Sequence, residues 1–340
     1  MDDVLLTIAI PTYNRANFLS RSLNSILSQY DERVEVLISD NASPDNTEEI
    51  VRGFKEQFPQ INYIRNEENI GPDANFLQCY KFARGKYVLL LGDDDLIVEN
   101  SLQPLLTFLE GEGKECSLVF LNHVFFEGEY ISSEHCSNPF LKETNSYITT
   151  DKMKLMEAAQ HRLTYMSAFL LQRAAFESVS APEKYSNTSF MHTCIVFEAT
   201  KDENSVFGIF GQAFVAQDAT VENTVFWKRP QEILLVFGTR EEHVYCEIAP
   251  QFGYDKEQME RIYTDFLCKS WRGSIIRIKA FAAEYWKEYY HLYAEPVLQK
   301  HKRAYRKLRL YIRCPVWAAK FAYKFVRPLY RKMKRKKGEI

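Results

Sequence analysis

The sequence has no apolar run long enough to cross a bilayer, which takes about 20 consecutive residues. Its longest apolar segments, at 88–91, 118–126 and 233–237, have only the length of a strand or of a core helix. The acidic start, Met1-Asp2-Asp3, lacks the basic and apolar regions of a secretory signal. We therefore expect a cytoplasmic protein.

Several nucleotide- and metal-binding motifs are missing as well. Neither G-x-G-x-x-G nor G-x-x-x-x-G-K-[ST] follows the first predicted strand, which argues against a dinucleotide-dependent oxidoreductase and a P-loop NTPase. The seven cysteines are scattered and lack C-x-x-C spacing, which predicts reduced thiols with neither a disulfide framework nor a zinc site. With 46% hydrophobic residues and only 13 Gly and 12 Pro, the chain is neither disordered nor of low complexity.

Acidic residues are scarce at one end of the chain. Residues 300–340 contain 16 Lys and Arg and a single acid, Glu339, whereas residues 1–299 contain 27 Lys and Arg against 44 Asp and Glu. The formal net charge of -2 therefore combines an acidic body with a basic tail. Such an asymmetry indicates an anionic partner for the tail, either a membrane surface or a nucleic acid.

Aromatic residues distinguish these two partners. Trp317, Phe321 and Phe325 recur every four residues, and the basic residues Lys320, Lys324, Arg327 and Arg331 accompany them. Apolar rings on one side of a helix with cations around them are typical of an interfacial helix on an anionic membrane. The alternative is a solvated basic helix that binds no partner. We favour lipid over nucleic acid because aromatic residues that bind nucleic acid usually lie on sheets.

The first hundred residues alternate between strand and helix periodicity. The predicted strands are 5–10, 34–39, 61–64 and 87–91, and the predicted helices are 18–27, 47–58 and 74–83. This alternation predicts an α/β fold with a doubly wound, mostly parallel sheet. Later signals are looser, with strands at 117–126, 166–171 and 206–214 and helices at 150–162, 189–200, 230–247, 255–271 and 274–298. We expect an α/β domain over 1–225, a helical region over 226–299 and the basic tail over 300–340.

A polar cluster follows each of the four early strands. The clusters are Pro11–Arg15, Asp40–Ser43, Arg65–Asn66 with Asn69–Gly71, and Gly92–Asp95. All four are predicted to lie at the carboxyl ends of parallel strands, where open α/β sheets bind ligands.

One of these clusters, Asp93-Asp94-Asp95, gives the clearest indication of a metal site. Three adjacent carboxylates repel one another, and a hard cation such as Mg²⁺ or Mn²⁺ relieves that repulsion while it binds substrate phosphates. The alternative is a helix cap or a solvated turn.

Asp40, Tyr13 and Arg15 suit a nucleotide. The Asp40 carboxylate can accept the imide N–H of a uracil ring, although an Asx turn is an equally good reading of the same residue. Tyr13 can stack on a base, and Arg15 can pair with a diphosphate.

The runs Ile10–Arg15, Ile38–Ser43, Asn69–Gly71 with Asn75, and Gly85–Asp95 together resemble family 2 glycosyltransferases. These are inverting enzymes with a GT-A-type fold. The resemblance is strong over residues 4–125 and loose over 126–225. It implies a nucleotide-sugar donor and metal-assisted departure of the nucleoside diphosphate.

The resemblance also implies roles for individual residues. Gly92 stands where the usual Asp-x-Asp-Asp pattern of the family has its first Asp. By position, Pro11, Tyr13, Arg15 and Asp40 would hold the base, Asn66 and Asn75 would support the nucleotide wall, Asp93 would contact the ribose, and Asp94 or Asp95 would bind the metal.

An inverting transfer also needs a general base for the acceptor hydroxyl. The family usually carries a Glu-Asp pair about a hundred residues after the metal motif, and this sequence has none there. His192 stands near that place and is the candidate base, with Asp218 and Glu198 in reserve. The alternative is a half-buried structural histidine.

Together these features predict an inverting glycosyltransferase on the inner face of the cell membrane. The donor would be a nucleotide sugar, with a UDP-sugar favoured, and the acceptor a lipid-linked saccharide of a capsule or another surface polysaccharide. The alternative is a catalytically silent nucleotide-sugar-binding or membrane-scaffolding protein. The aromatic helices over 255–298 could bury a subunit contact, so an oligomer is possible.

Overall fold

A computed structural model describes residues 4–220, 229 and 231–326. The chain forms two compact units, Met1–Asp218 and Ala219–Ile340. The boundary lies close to the end of the predicted α/β domain, and the second unit contains both the predicted helical region and the predicted tail. Each unit is described by itself.

The first unit is built on one mixed sheet of nine strands. They are β1 Leu6–Thr12, β2 Val34–Asp40, β3 Asn62–Arg65, β4 Tyr87–Leu90, β5 Leu96–Ile97, β6 Leu118–Phe126, β7 Tyr147–Thr149, β8 Phe169–Gln172 and β9 Phe207–Asp218. The order is β3-β2-β1-β4-β8-β6-β9-β5, and β7 pairs with β9. Strands β3, β2, β1 and β4 are parallel, whereas β8 runs antiparallel between β4 and β6. The predicted α/β, mostly parallel fold is confirmed.

Helices cover the central strands β1, β2 and β4, which are buried along their whole length. Alternate residues of β1, namely Leu6, Ile8 and Ile10, share one apolar core with helices α1, α2 and α4. The period of two follows from the pleat of a strand. Helix α3 packs against β1 and β2 outside that cluster. The helices of this unit are α1 Ala16–Leu27, α2 Thr47–Gln57, α3 Pro72–Phe82, α4 Leu102–Glu110, α5 Lys152–Ala159, α6 Arg173–Glu177 and α7 Met191–Ala199.

The second unit is helical throughout its described residues. Its α-helices are α8 Glu232–Leu234, α9 Glu241–His243, α10 Lys256–Phe281, α11 Ala283–Tyr289, α12 Glu295–Lys300, α13 Lys302–Arg313 and α14 Val316–Phe321, and π-helical segments join several of them. Helix α10 is continuous through Gly273, where we expected a break between two helices.

Part of the predicted tail belongs to the body of this unit. Helices α13 and α14 both pack against α10. The Lys279 ammonium of α10 donates hydrogen bonds to the carbonyls of Tyr311 (3.0 Å) and Cys314 (2.7 Å) at the end of α13. The basic tail is therefore anchored on α10 at least to the end of α14.

The aromatic stripe of the tail points away from α10. Trp317, Phe321 and Phe325 are 74%, 58% and 51% exposed, and Lys320 and Lys324 are exposed as well. The other two basic residues predicted to accompany the stripe, Arg327 and Arg331, lie outside the described residues. Among the helices that the structure describes, none combines the length and the apolar character that a membrane crossing requires.

Candidate active site

The four polar clusters meet at one edge of the sheet. Because β3, β2, β1 and β4 are adjacent and parallel, their carboxyl ends lie side by side. Hydrogen bonds join the clusters across this edge. The Thr12 hydroxyl at the end of β1 donates to Asp93 Oδ2 (2.8 Å), and the Asn14 amide donates to Ser43 Oγ (3.0 Å). The convergence predicted from the sequence is present.

Arg15 neutralises part of the acidic cluster. Its Nε lies 3.0 Å from Asp93 Oδ1, and its Nη2 is in contact with Asp94 Oδ2. The guanidinium also lies over the ring of Phe18, 4.6 Å from the centroid. The carboxylates predicted to bind the ribose and the metal are thus paired with the arginine predicted to face a diphosphate.

Asp95 is held on the opposite side of the cluster. The Ser167 hydroxyl donates to Asp95 Oδ2 (2.6 Å) and accepts a hydrogen bond from the Gly92 amide (2.9 Å). A Cβ atom at position 92 would lie 2.7 Å from Asp95 Oδ2, closer than real contacts allow. A side chain at position 92 would therefore displace the Asp95 carboxylate from this arrangement.

Burial raises the pKa values of two of these carboxyls. Desolvation raises the pKa of Asp93 to about 7, against the lowering influence of Arg15. Desolvation and the neighbouring Asp94 also raise the pKa of Asp95 above its usual range. Loss of hydration and like charge both disfavour ionisation. Three carboxyls lie beside one guanidinium, and a divalent cation would favour the ionised form of all three, so such a cation fits these residues.

Asp40 is completely buried and already bonded within the protein. Its Oδ1 accepts a hydrogen bond from the Ser43 amide (2.8 Å), and its Oδ2 accepts one from the Tyr63 hydroxyl (2.7 Å). Arg65 Nε lies 3.5 Å from the same Oδ2. The carboxylate thus caps its own loop through the amide three residues on, and a nucleobase at Asp40 would compete with Tyr63 and Arg65.

Asn66 and Asn75 form part of a network of side-chain amides at this edge of the sheet. Asn75 Oδ1 accepts from Ser39 Oγ (2.7 Å), and the Asn75 amide donates to the Ser39 carbonyl (3.0 Å). Asn66 Nδ2 donates to Asn41 Oδ1 (3.1 Å) and lies 3.4 Å from Asn75 Oδ1. The two asparagines thus tie the ends of β2 and β3 to α3.

Pro11 and Tyr13 flank the start of the first loop. Pro11 is buried within β1, whereas Tyr13 is exposed. The following residue, Asn14, has a left-handed backbone with φ of 57°. This turn leaves Tyr13 accessible while Arg15 reaches the acidic cluster. An accessible ring suits the stacking role predicted for Tyr13.

His192 does not present an exposed basic nitrogen. The side chain is 4% exposed and is packed among the rings of Phe76, Phe169 and Phe190. Its Nε2 lies 3.0 Å from the Thr164 carbonyl, to which it donates a hydrogen bond. Burial lowers the pKa of His192 to about 4. The structure favours the alternative of a packed structural histidine over a general base.

The two reserve candidates occupy different surroundings. Glu198 is buried near the end of α7, where it accepts a hydrogen bond from Tyr185 (2.6 Å) and pairs with Lys184 (2.7 Å). Asp218 ends β9, in which Ala216 pairs with Leu96, the residue directly after the acidic cluster. Its carboxylate lies 3.6 Å from Arg21 Nη1. Asp218 is thus the candidate that adjoins the acidic cluster.

Several residues of this edge were not predicted. Tyr63, Tyr165 and Ser167 lay outside the predicted clusters, whereas Thr12, Asn41, Ser43 and Arg65 lay within them but had been given no role of their own. Most follow strands that we had recognised, so their position was available from the sequence. Ser167 lies more than seventy residues beyond Asp95 and carried no local signal.

Comparison with known proteins decides the family. Residues 7–180, just over half of the chain, match the family described as Glycosyl transferase family 2. The chain belongs to this family. The prediction from the four motifs is confirmed, and the protein is a glycosyltransferase.

Relatives of this glycosyltransferase extend the match. Abequosyltransferase RfbV of Salmonella typhimurium is 30% identical over 281 residues, which cover 78% of this chain and 80% of that protein. The minor teichoic acid biosynthesis protein GgaB of Bacillus subtilis is 24% identical over 179 residues, which cover 52% of this chain and 19% of that protein.

Solved structures confirm the fold of the glycosyltransferase. TarS 1-349 of S. aureus in complex with UDP superimposes with a TM-score of 0.55 at 15% identity, over 94% of this chain and 91% of that one. Its complex with UDP-GlcNAc gives a TM-score of 0.56 at 14% identity, with the same coverage. At this identity the likeness concerns the fold alone.

Proposed function

We propose that this glycosyltransferase transfers a sugar, with inversion, from a nucleotide sugar to a lipid-linked saccharide of a surface polysaccharide. The observation that carries the proposal is the cluster of Asp93, Asp94 and Asp95 beside Arg15 at the carboxyl edge of the sheet. RfbV and GgaB, whose names refer to abequose transfer and teichoic acid, support the class of product. The UDP complexes of TarS favour a UDP-sugar.

Asp94 is the residue best suited to hold Mn²⁺ or Mg²⁺, together with Asp95. Asp94 is the most exposed of the three acids, whereas Asp93 and Asp95 are buried. When bound, the metal would neutralise the charge of the departing diphosphate. Asp93, which is fixed by Thr12 and Arg15, is placed to orient the ribose.

In this proposal Arg15 can pair either with the acidic cluster or with the diphosphate of the donor. It pairs with Asp93 and Asp94 in the structure, and a bound diphosphate offers oxygens of the same charge. A metal at Asp94 would take over the compensation of that carboxylate and leave Arg15 available to the diphosphate. Tyr13, exposed beside it, would stack on the base.

We propose Asp218 as the general base in place of His192. In an inverting transfer the base acts on the acceptor hydroxyl, on the face of the sugar opposite the departing diphosphate, so it must lie across the sugar from the metal site. Asp218 adjoins Asp95, whereas His192 uses its Nε2 on the Thr164 carbonyl. The Asp218 side chain is itself buried, so the acceptor would have to loosen its pair with Arg21, whose side chain is partly exposed.

We further propose that the second unit holds the enzyme on the inner face of the membrane. Trp317, Phe321 and Phe325 are exposed rings on a basic helix, which is the composition of an interfacial segment. An enzyme held at the bilayer meets a lipid-linked acceptor at high effective concentration.

A catalytically silent nucleotide-sugar-binding protein is the rival for this particular chain, motivated by the missing Glu-Asp pair. Turnover separates the two. A thermal-shift screen of nucleotide sugars with Mn²⁺ identifies the donor, and release of its nucleoside diphosphate is then measured with and without the metal. We expect metal-dependent release in the wild type and a loss of at least 100-fold in Asp94→Ala.

Glu49→Gln is the matched control, because Glu49 is an exposed acid on α2 and contributes nothing to the cluster. It should keep full activity. Full turnover by Asp94→Ala would overturn the metal assignment. Donor binding without release by the wild type, in the presence of membrane lipid extract as acceptor, would favour the silent protein.

A further inference from the structure

Three buried side chains of different chemistry meet in the second unit, far along the sequence from the acidic cluster. Glu242, Cys246 and His301 each offer one ligand atom, and these atoms lie within 4.8 Å of one another. All three residues are buried. A carboxylate, a thiol and an imidazole are the three side chains that bind zinc in proteins.

Helical spacing brings the first two together. Glu242 and Cys246 are four residues apart on a continuous helical stretch, so they share one face. His301 comes from the junction between α12 and α13, more than fifty residues later. The pattern of cysteines alone indicated no zinc site, because two of the three ligands here are not cysteine and no linear motif joins them.

His301 is oriented toward the other two groups. Its Nδ1 is hydrogen-bonded to the Thr264 hydroxyl of α10 (2.8 Å). Its Nε2 lies 3.8 Å from Glu242 Oε1, and within the described part of the chain it has no hydrogen-bond partner. Zinc-bound histidines usually have their second nitrogen fixed in this way by an outer partner. A buried imidazole nitrogen without a hydrogen bond is costly unless something binds it.

We propose that Glu242, Cys246 and His301 form a structural zinc site that ties the 232–252 helical stretch to the α12–α13 junction. A closed structural site needs four protein ligands, and Glu247 would supply the fourth by releasing its pair with His243 (2.7 Å). Glu247 Oε1 lies 3.7 Å from the ammonium of Lys300, which in turn lies 2.9 Å from Glu242 Oε1.

Lys300 occupies the place of the cation in the metal-free chain. Its ammonium pairs with Glu242, but its side chain is 57% exposed, so it can turn out to water when an ion enters. Cys246 is buried beside Glu242 and binds zinc only as the thiolate. Zinc binding therefore forms one S–Zn bond and releases one proton to solvent.

The test uses the full chain, purified with a thiol reductant, stripped with a chelator and titrated with Co²⁺ and Zn²⁺. We expect one tightly held zinc per chain and an absorption band from thiolate-to-cobalt charge transfer. Cys246→Ser should abolish that band. Cys268→Ser is the matched control, because Cys268 is a buried cysteine of α10 outside the cluster, and it should keep the band. Metal at Asp93–Asp95 gives no such band because that cluster contains no thiol, so the result is independent of the proposed function.

Two further variants guard against misfolding as the explanation. Thr264→Val keeps the ligands and should weaken zinc roughly 10- to 100-fold, as outer partners of metal ligands do. Lys300→Met removes the competing ammonium and should tighten zinc, an effect that loss of structure would not produce. A wild type that shows no thiolate band, a Cys246→Ser variant that keeps it, or a Lys300→Met variant that binds zinc no more tightly would each overturn the site.

Discussion

Arg15 Nε lies 3.0 Å from Asp93 Oδ1, so the loop after β1 is bonded to the first residue of the acidic cluster after β4. Both side chains are largely withdrawn from water, with 24% and 9% of their surfaces exposed. The pair matters for stability because a buried carboxylate that loses its only cation must either take a proton or remain uncompensated. This relationship makes the acidic edge sensitive to pH.

Arg15→Gln should therefore destabilise the metal-free protein in a pH-dependent way. The pKa of Asp93 is raised to about 7 in the folded state, so its contribution to stability is complete below its unfolded pKa of 3.8 and is lost as pH rises through about 7. Removing the cation raises that pKa further and deepens the loss. We expect a cost of about 1–3 kcal/mol above neutral pH and a smaller cost in acid.

Denaturant unfolding at several pH values measures this difference. Arg52→Gln, an exposed arginine on α2, is the control and should cost nearly the same at every pH. An equal cost of Arg15→Gln in acid and in alkali would show that the pair does not govern the ionisation of Asp93.

Gly92→Ala should damage the acidic edge although it adds a single methyl group. The new Cβ would lie 2.7 Å from Asp95 Oδ2 and 3.2 Å from Asp94 Oδ1. Both carboxylates must move, so we expect at least a tenfold loss of metal-dependent activity and a cost of about 1–3 kcal/mol from overpacking. Gly53→Ala has nothing within 4 Å in the middle of α2, and it should stabilise the protein by about 0.5–1 kcal/mol. Normal activity in Gly92→Ala would refute the steric argument.

We expect Asp218→Asn to lower the rate of sugar transfer and His192→Gln to lower the free energy of unfolding. We expect Asp218→Asn to reduce sugar transfer about 100-fold or more while donor binding is kept, because general-base catalysis contributes about 10²–10⁴-fold. His192→Gln should lower the free energy of unfolding through lost ring packing and retain most transfer at a temperature where it is folded. Initial rates with saturating donor, beside unfolding curves, give both quantities. The opposite ranking of the two variants would restore His192 as the base.

The sequence predicted which polar clusters would lie together better than it predicted what each side chain would contact. Four polar clusters after four parallel strands could be placed at one edge, because βαβ connections leave little choice of direction. Whether Asp40 faces a ligand or its own turn depended on Tyr63 and Arg65, which come from another strand. The surroundings of His192 were hidden for a similar reason, since helical spacing does not reveal that three phenylalanines surround it.

The remaining features could not be predicted because they depend on which distant strands and helices pair with each other. The insertion of β8 antiparallel beside β4 makes the sheet mixed, and it also places Ser167 against Asp95. Strand periodicity says nothing about which strand pairs with which. The break expected at Gly273 was wrong because packing of α10 against α13 and α14 outweighs the modest helix penalty of one glycine.

The exposed stripe of the second unit should bind anionic membranes through both its rings and its charges. Trp317, Phe321 and Phe325 can insert their side chains below the headgroups, while nearby cations such as Lys320 and Lys324 each add roughly 1 kcal/mol near an anionic surface. We expect the protein to sediment with phosphatidylglycerol-containing vesicles and to be released by high salt, because screening weakens attraction between exposed charges.

Replacing Trp317, Phe321 and Phe325 together by alanine separates the contribution of ring insertion from that of electrostatic attraction. The variant keeps every charge, so it should still bind weakly at low salt but lose at least tenfold in affinity and nearly all binding at moderate salt. Phe82→Ala, an exposed ring at the end of α3, should bind as the wild type does. Equal binding of the triple variant and the wild type at moderate salt would mean that charge alone holds the protein. Binding to neutral vesicles that ignores both salt and the three rings would refute the interfacial helix, because neither the cations nor the stripe would then contribute.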